Sequence, residues 1–138
     1  MTEAKKFDVS LYELDDTGVL TVKNAAGDAN LLVDGKPVMI TLYGPASPQF
    51  VQADHRASNI ALKRSMKIYQ GNVIDNVAEQ VTQETAEKLA ACTAEINNFP
   101  IEGGALAIYT NPRLVYITNQ VEAFLNAWEI LPRARLRA

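Results

Sequence analysis

Residues 36–50, KPVMITLYGPASPQF, contain the change of pattern that decides the fold. Residues 38–43 are mostly apolar and partly β-branched, which is typical of a strand. A Gly-Pro turn follows, and Ser47 then precedes Pro48. A serine side chain caps the free N–H groups at the start of a helix, and a proline in the first turn loses no hydrogen bond there. The segment therefore predicts a strand that turns abruptly into a helix.

Two further strands are predicted upstream of this segment. Residues 18–24 alternate apolar and polar side chains, and an Asp34-Gly35 pair separates two later apolar runs. An Asp-Gly pair between such runs favours a type I′ hairpin turn, because both central positions need positive φ. We expect a three-stranded antiparallel meander over about residues 18–44. Other elements must cover its apolar face, because such a sheet is marginally stable alone.

Two helices are predicted to follow as a hairpin. The first extends from residue 48 to about 69 and carries an apolar stripe at spacings of three and four. Leu62, Met66 and Tyr69 lie on another side of this helix, and we expect them to widen its buried face. The second helix is predicted to begin after Asn72 and to extend to about residue 97. It packs on the first as an antiparallel pair, or pairs with another subunit in a homo-oligomer.

A third helix follows an Asn-Pro start signal at residues 111–112 and carries the strongest apolar stripe in the chain. Core packing is the default interpretation of this stripe. Partner binding is the sharper alternative, because Trp and Tyr are over-represented in interaction hot spots. The arginine-rich end of the chain is either solvated or docks on an acidic partner. The candidate partner-binding residues are Leu114, Ile117, Val121, Phe124 and Trp128 of the helix, and Arg133, Arg135 and Arg137 of the tail.

These elements predict an α+β fold in which a small antiparallel N-terminal sheet of about three strands packs with a helical hairpin and a third, C-terminal helix. A length of 138 residues fits one domain overall. Within it we expect a strand-rich subdomain over residues 1–45 and a helical subdomain with a basic tail over residues 46–138.

The composition excludes several classes of function. The chain is 48% hydrophobic with a net charge of −3, values of an ordinary globular protein that disfavour nucleic-acid binding by the whole domain. A single cysteine, Cys92, excludes an intramolecular disulfide and a Cys-rich zinc site, and a single histidine, His55, excludes a His-based metal cluster. No apolar run is long enough to span a membrane, and the first ten residues lack the apolar core of a signal peptide. We therefore expect a cytoplasmic protein.

Catalytic signals are weak throughout the sequence. Neither of the glycine-rich phosphate-binding motifs, GxGxxG and GxxxxGK[ST], is present. His55 lies between Asp54 and Arg56 on the polar side of the first helix, where a solvated surface histidine is the main interpretation. Cys92 falls on the apolar stripe of the second helix, which favours a buried structural thiol. We expect a protein that is not an enzyme and that uses no metal and no cofactor.

Three stretches occur in an order that resembles a known family. Residues 36–50 lead into a helix with Arg56 and Arg64, a long middle helix leads to a glycine-containing joint, and YTNPRL at residues 109–114 leads into the third helix. This order is similar to that of small tail assembly proteins of bacteriophages and prophages, of the tail assembly chaperone type. Their strand region tends to end in an I-x-L-x-G-x-x-S phrase, which residues 40–47 match.

The resemblance covers about residues 7–129 and implies a non-enzymatic role. Such proteins coat the long helical tape-measure protein until the tail tube polymerises around it. The implied partner is a tape-measure or tail-tube protein, and the implied location is the cytoplasm of the bacterial host. A virion structural component of the tail or head–tail connector is the alternative. A small enzyme or ligand-binding domain is a third hypothesis, which would depend on His55 and Asp54.

Overall fold

The computed structural model describes residues 8–9 and 15–129 and confirms the predicted α+β class. A three-stranded antiparallel sheet packs with a helical hairpin and a C-terminal helix. An additional short helix precedes the C-terminal one. The elements are β1 (Thr17–Thr21), β2 (Leu32–Val33), β3 (Lys36–Pro37), β4 (Met39–Tyr43), α1 (Pro48–Tyr69), α2 (Val77–Ala91), β5 (Thr93–Asn97), α3 (Gly104–Tyr109) and α4 (Val115–Glu129), with a 3₁₀ turn over Pro112–Leu114.

The sheet has the strand order β1-β4-β5, with both pairs antiparallel. Ile40 in the central strand faces Leu20 of β1 on one side and Ile96 of β5 on the other. The predicted hairpin turn is confirmed, because Asp34 and Gly35 have φ values of 53° and 76° between β2 and β3. The predicted three-stranded meander is wrong, however. β2 and β3 form a separate two-stranded sheet, and the third strand of the main sheet comes from residues 93–97.

The second predicted helix is wrong at both ends. It begins at Val77 instead of after Asn72, because Asn76 takes a left-handed conformation with φ 59° and interrupts any earlier helix. It ends at Ala91 instead of near residue 97, because Thr93–Asn97 forms β5. A central strand needs hydrogen-bond partners on both edges, and β5 supplies the second set for β4.

The core lies between the sheet and the helices that pack on it. β4 shows period-two burial, with Ile40 and Leu42 buried and the residues between them only half-buried. Helix α4 contributes Ile117 and Val121, both fully buried in the same cluster. Each such side chain contributes about 1.5–3 kcal/mol on burial. The segment just after β1 is joined to α4 by two hydrogen bonds: the Lys23 N–H donates to Gln120 Oε1 at 2.7 Å, and Gln120 Nε2 donates to the Lys23 carbonyl at 2.9 Å.

The predicted turn from strand to helix is confirmed, and it fixes where α1 begins. Ser47 is fully buried; its Oγ accepts a hydrogen bond from the Phe50 N–H at 3.2 Å and donates to the Gly44 carbonyl at 2.7 Å. Phe50 and Ala53 are the buried residues of α1. The rest of this 22-residue helix extends beyond the core. None of the helices in the described residues is both long enough and apolar enough to cross a membrane.

The Trp128 indole packs directly against the backbone of β1, which leaves no room for a side chain at Gly18. A Cβ atom at Gly18 would lie 2.9 Å from Trp128 Cη2 and 3.0 Å from Cζ3. We predict that Gly18→Ala lowers the free energy of unfolding by about 1–3 kcal/mol, because overpacking forces the ring to move. In a Trp128→Phe background the shorter ring removes these contacts, so the cost of Gly18→Ala should fall. Urea unfolding of the four proteins measures both costs, and equal costs in the two backgrounds would contradict the packing.

Candidate partner-binding surface

The apolar stripe of the C-terminal helix packs within the core of this chain. Ile117 and Val121 are fully buried, Trp128 is almost so, and Leu114 and Phe124 are half-buried against the same cluster. The Phe124 and Trp128 rings meet edge to face, with centroids 5.6 Å apart. These five side chains therefore pack in the core or against it, which is the default interpretation of the stripe given above. The other candidates, Arg133, Arg135 and Arg137, lie outside the described residues.

A different surface presents apolar side chains to solvent. Leu62, Met66 and Tyr69 on α1, which we call the α1 stripe, are all exposed, and Tyr69 is 93% exposed. The prediction that these residues widen the buried face of the helix is therefore wrong. They lie at i, i+4 and i+7 and so share one face of the helix. Val73, just beyond the end of α1, is also exposed.

Two ion pairs hold α1 against α2, so that the α1 stripe points away from the hairpin partner. Arg64 pairs with Glu84, and these side chains are only 12% and 18% exposed. Lys88 Nζ lies 2.9 Å from Asp54 Oδ1 in a more open pair, 30% and 49% exposed. The hydrogen bond and the positive charge of Lys88 lower the pKa of the Asp54 carboxyl. Lys88 Nζ also lies 5.4 Å from the centre of the Phe50 ring, a cation–π contact.

The candidate catalytic residues do not assemble into a site. His55 is exposed on α1, next to an Asp54 that is already paired with Lys88. Cys92 is fully buried, as predicted for a structural thiol, and burial raises its pKa to about 11. Burial also raises the pKa of Tyr109, although its hydroxyl lies 2.7 Å from Thr93 Oγ1. Within residues 8–9 and 15–129, no three His, Cys, Asp or Glu side chains are close enough to hold a metal ion.

A groove of about 390 Å³ lies between α2 and the start of α4. Its lining mixes apolar side chains such as Val81 and Val115 with the hydroxyls of Thr82 and Thr85. Thr118 also lines it, and its buried hydroxyl makes no hydrogen bond within the described part of the chain. The groove is open, and Glu122 is the one charged residue among those that line it.

The exposed α1 stripe had a signal in the sequence. Helix α1 contains two apolar sets, one with Ala53 and Ile60 and the other with Leu62, Met66 and Tyr69. Helical periodicity separates the two sets but does not tell how far along the helix the core extends: Ala53 is buried, whereas Ile60 is 37% exposed. The sheet is small and covers only the first turns of this 22-residue helix, so the later turns have no sheet beside them.

Comparison with known proteins adds no relative from which a function could be transferred. No protein-family model, no curated protein and no solved structure matches the chain. The geometry and charge of the surface, together with the resemblance in sequence pattern, therefore carry the functional conclusion.

The less exposed of the two ion pairs should contribute more to the stability of the α1–α2 hairpin. We predict that Glu84→Gln lowers the free energy of unfolding by roughly 1–3 kcal/mol, because it leaves the Arg64 guanidinium largely buried without a counter-charge. The matched control is Asp54→Asn in the exposed pair, with an expected cost of about 0–1 kcal/mol. Urea unfolding followed by circular dichroism measures both. A cost for Asp54→Asn equal to or above that for Glu84→Gln would contradict this assignment.

Proposed function

We propose that this protein is a non-enzymatic tail assembly factor of a bacteriophage or prophage. In this role it binds the tape-measure protein transiently in the cytoplasm of the bacterial host and shields its apolar helices during tail morphogenesis. The observation that carries the proposal is the α1 stripe, an apolar helix face that is exposed in the part of the chain that the structure describes. The resemblance of residues 36–50 and 109–114 to tail assembly chaperones supports the same role.

The α1 stripe has the chemistry of a surface that packs on another helix. Side chains at i, i+4 and i+7 on one helix match the spacing of an apolar face on a second helix, as in helix-in-groove recognition. Methionine adapts its shape to varied partners, which suits a protein that must bind many similar but unequal segments. Tyr69 adds a large ring with a polar end, a residue type enriched in interaction hot spots.

The small size of the α1 stripe fits transient binding. Burying apolar surface contributes about 25 cal/mol per Å², but association costs several kcal/mol in lost translational and rotational freedom. A face of three side chains therefore gives weak binding per copy. Many copies along one long partner would act together through high effective concentration. Many copies thus coat the tape measure and dissociate when tail-tube subunits compete for the same surface.

The alternative function, a virion structural component of the tail or head–tail connector, predicts that the protein persists in finished particles. Mass spectrometry of purified virions separates the two functions. We expect the protein to be absent from virions while it is abundant in infected or induced cells. We also expect a long, helical open reading frame just downstream of the gene, where a tape-measure protein would be encoded.

The decisive experiment is co-purification with the tape-measure protein encoded beside this chain. We predict that the wild-type protein captures it on co-expression and that Leu62→Gln reduces the captured amount at least about fivefold, because a polar side chain then interrupts the apolar face. The matched control is Leu32→Gln, since Leu32 is 57% exposed on β2 and Leu62 is 60% exposed on α1. Leu32→Gln should capture as much as the wild type.

Two outcomes would contradict the proposal at different levels. Equal capture by the wild type and Leu62→Gln would remove the α1 stripe as the binding surface. No capture by the wild type, together with normal tails after deletion of the gene, would overturn the tail assembly function itself.

A further inference from the structure

Helix α1 differs in charge from the rest of the molecule. It carries four basic side chains and one acidic one, while the remainder of the chain carries nine basic and fifteen acidic. Of the four α-helices in the described residues, α1 alone is basic; α2 and α4 contain more acidic than basic side chains. The helix that presents the α1 stripe is therefore also the positively charged helix.

The positive charge lies on one side of the α1 stripe only. At roughly 100° per residue, Lys63 lies about 90° and Lys67 about 130° around the helix from the line through Leu62, Met66 and Tyr69, both on the same flank. Ser58 and Ser65 fall on the opposite flank, which carries no charge in this half of the helix. The surface is thus asymmetric across its width, with lysines along one edge and hydroxyls along the other.

The two lysines are available to a partner, whereas the neighbouring arginine is not. Arg64 is paired with Glu84 and mostly buried. Lys63 and Lys67 are exposed, and neither pairs with a carboxylate in the part of the chain that the structure describes. On the side of α1 that faces α2, they line a cavity of about 300 Å³ together with Ile60, Ile74 and Gln80. An acidic side chain placed at this edge would meet two unpaired ammonium groups beside apolar surface.

We propose that the α1 stripe binds an amphipathic partner helix whose apolar face is bordered on one side by acidic residues. This inference rests on the proposed function and specifies which tape-measure segments are bound. The lysine edge pairs with the acidic border while Leu62, Met66 and Tyr69 cover the apolar face. Charge at the rim of an interface contributes selectivity and association rate more than affinity, so the lysines choose among apolar helices. The acidic border also fixes the direction in which the partner helix lies.

A second copy of α1 does not meet this requirement. The single acid of α1, Asp54, is already paired with Lys88 of the same chain. In an antiparallel α1–α1 pair, the two-fold axis would bring the two lysine edges together on one side, where like charges repel. In a parallel pair each lysine edge would face the uncharged edge of the other helix. Neither arrangement gives the lysines an acidic partner, so the proposed occupant is a different helix that carries acidic residues.

The first test uses synthetic helical peptides and fluorescence anisotropy. The probe is a labelled peptide of about three heptads with Leu at the a and d positions and Glu along one flank, and its counterpart has Lys at the same flank. We expect the Glu peptide to bind about tenfold more tightly than the Lys peptide, and Lys63→Glu with Lys67→Glu to reverse this order. The preference should shrink at about 0.5 M salt, where the Debye length is only about 4 Å.

The matched control is Lys23→Glu with Lys36→Glu, which changes the net charge equally but lies on the sheet side of the molecule. This control should keep the wild-type preference. A control that reverses the preference as strongly would show that net charge alone is responsible and would overturn the proposal. Circular dichroism checks that every variant is folded. If the Lys63→Glu, Lys67→Glu protein is not folded, Lys63→Gln with Lys67→Gln replaces it and should abolish the preference without reversing it.

Capture of the tape-measure protein then separates this inference from the proposed function. Loss of capture in both Leu62→Gln and the Lys63, Lys67 double variant supports both. Loss in Leu62→Gln with wild-type capture by the lysine double variant overturns the acidic partner and leaves the function standing. Wild-type capture by Leu62→Gln overturns the α1 stripe as the binding surface, and the inference with it.

Discussion

The pairing of β4 on both edges is the constraint on which the rest of the structure depends. Its partner β1 precedes it in the sequence and its partner β5 follows it after the helical hairpin, and the Tyr43 N–H donates to the Cys92 carbonyl where α2 ends and β5 begins. A buried central strand cannot leave one row of backbone groups unpaired. The chain must therefore return to β4 after the helical hairpin, and this return fixes the end of α2. The same strand leads directly through the buried Ser47 cap into α1, so both helices of the hairpin are positioned from one strand.

This arrangement explains why α1 displays an apolar face. Only its first turns lie over the core, where Phe50 and Ala53 are buried. Its later turns have α2 on one side and solvent on the other, and the Arg64–Glu84 pair lies on the side that faces α2. The α1 stripe is consequently held on a regular helix instead of a loop. A preorganised helix face loses little conformational entropy when a partner binds, which partly offsets the small area of the contact.

The elements that could be predicted correctly from the sequence are those determined by local chemistry. The Asp34-Gly35 turn and the Ser47 cap depend on nearest neighbours and could be identified directly. Strand β5 could not, because Leu89, Cys92 and Ile96 continue a spacing of three and four that is typical of a helix. A strand forms at residues 93–97 because β4, more than fifty residues earlier, needs hydrogen-bond partners along its second edge. The α1 stripe has the same difficulty, since periodicity identifies a face but burial depends on what tertiary structure lies beside it.

Helix α4 stabilises the fold, whereas α1 carries the proposed binding surface, so stability and binding depend on different helices. The aromatic pair Phe124 and Trp128, the more obvious hot spot in sequence, packs on the sheet, so changing it would disturb folding as much as binding. Leu62, Met66 and Tyr69 are exposed by 60%, 53% and 93% and do not belong to the core, so the fold depends little on their apolar character. A single exposed leucine needs no explanation, but three apolar side chains aligned on one helix face, with lysines along one edge only, form a directional surface. Burial against a second helix is the physical role that such a surface fits.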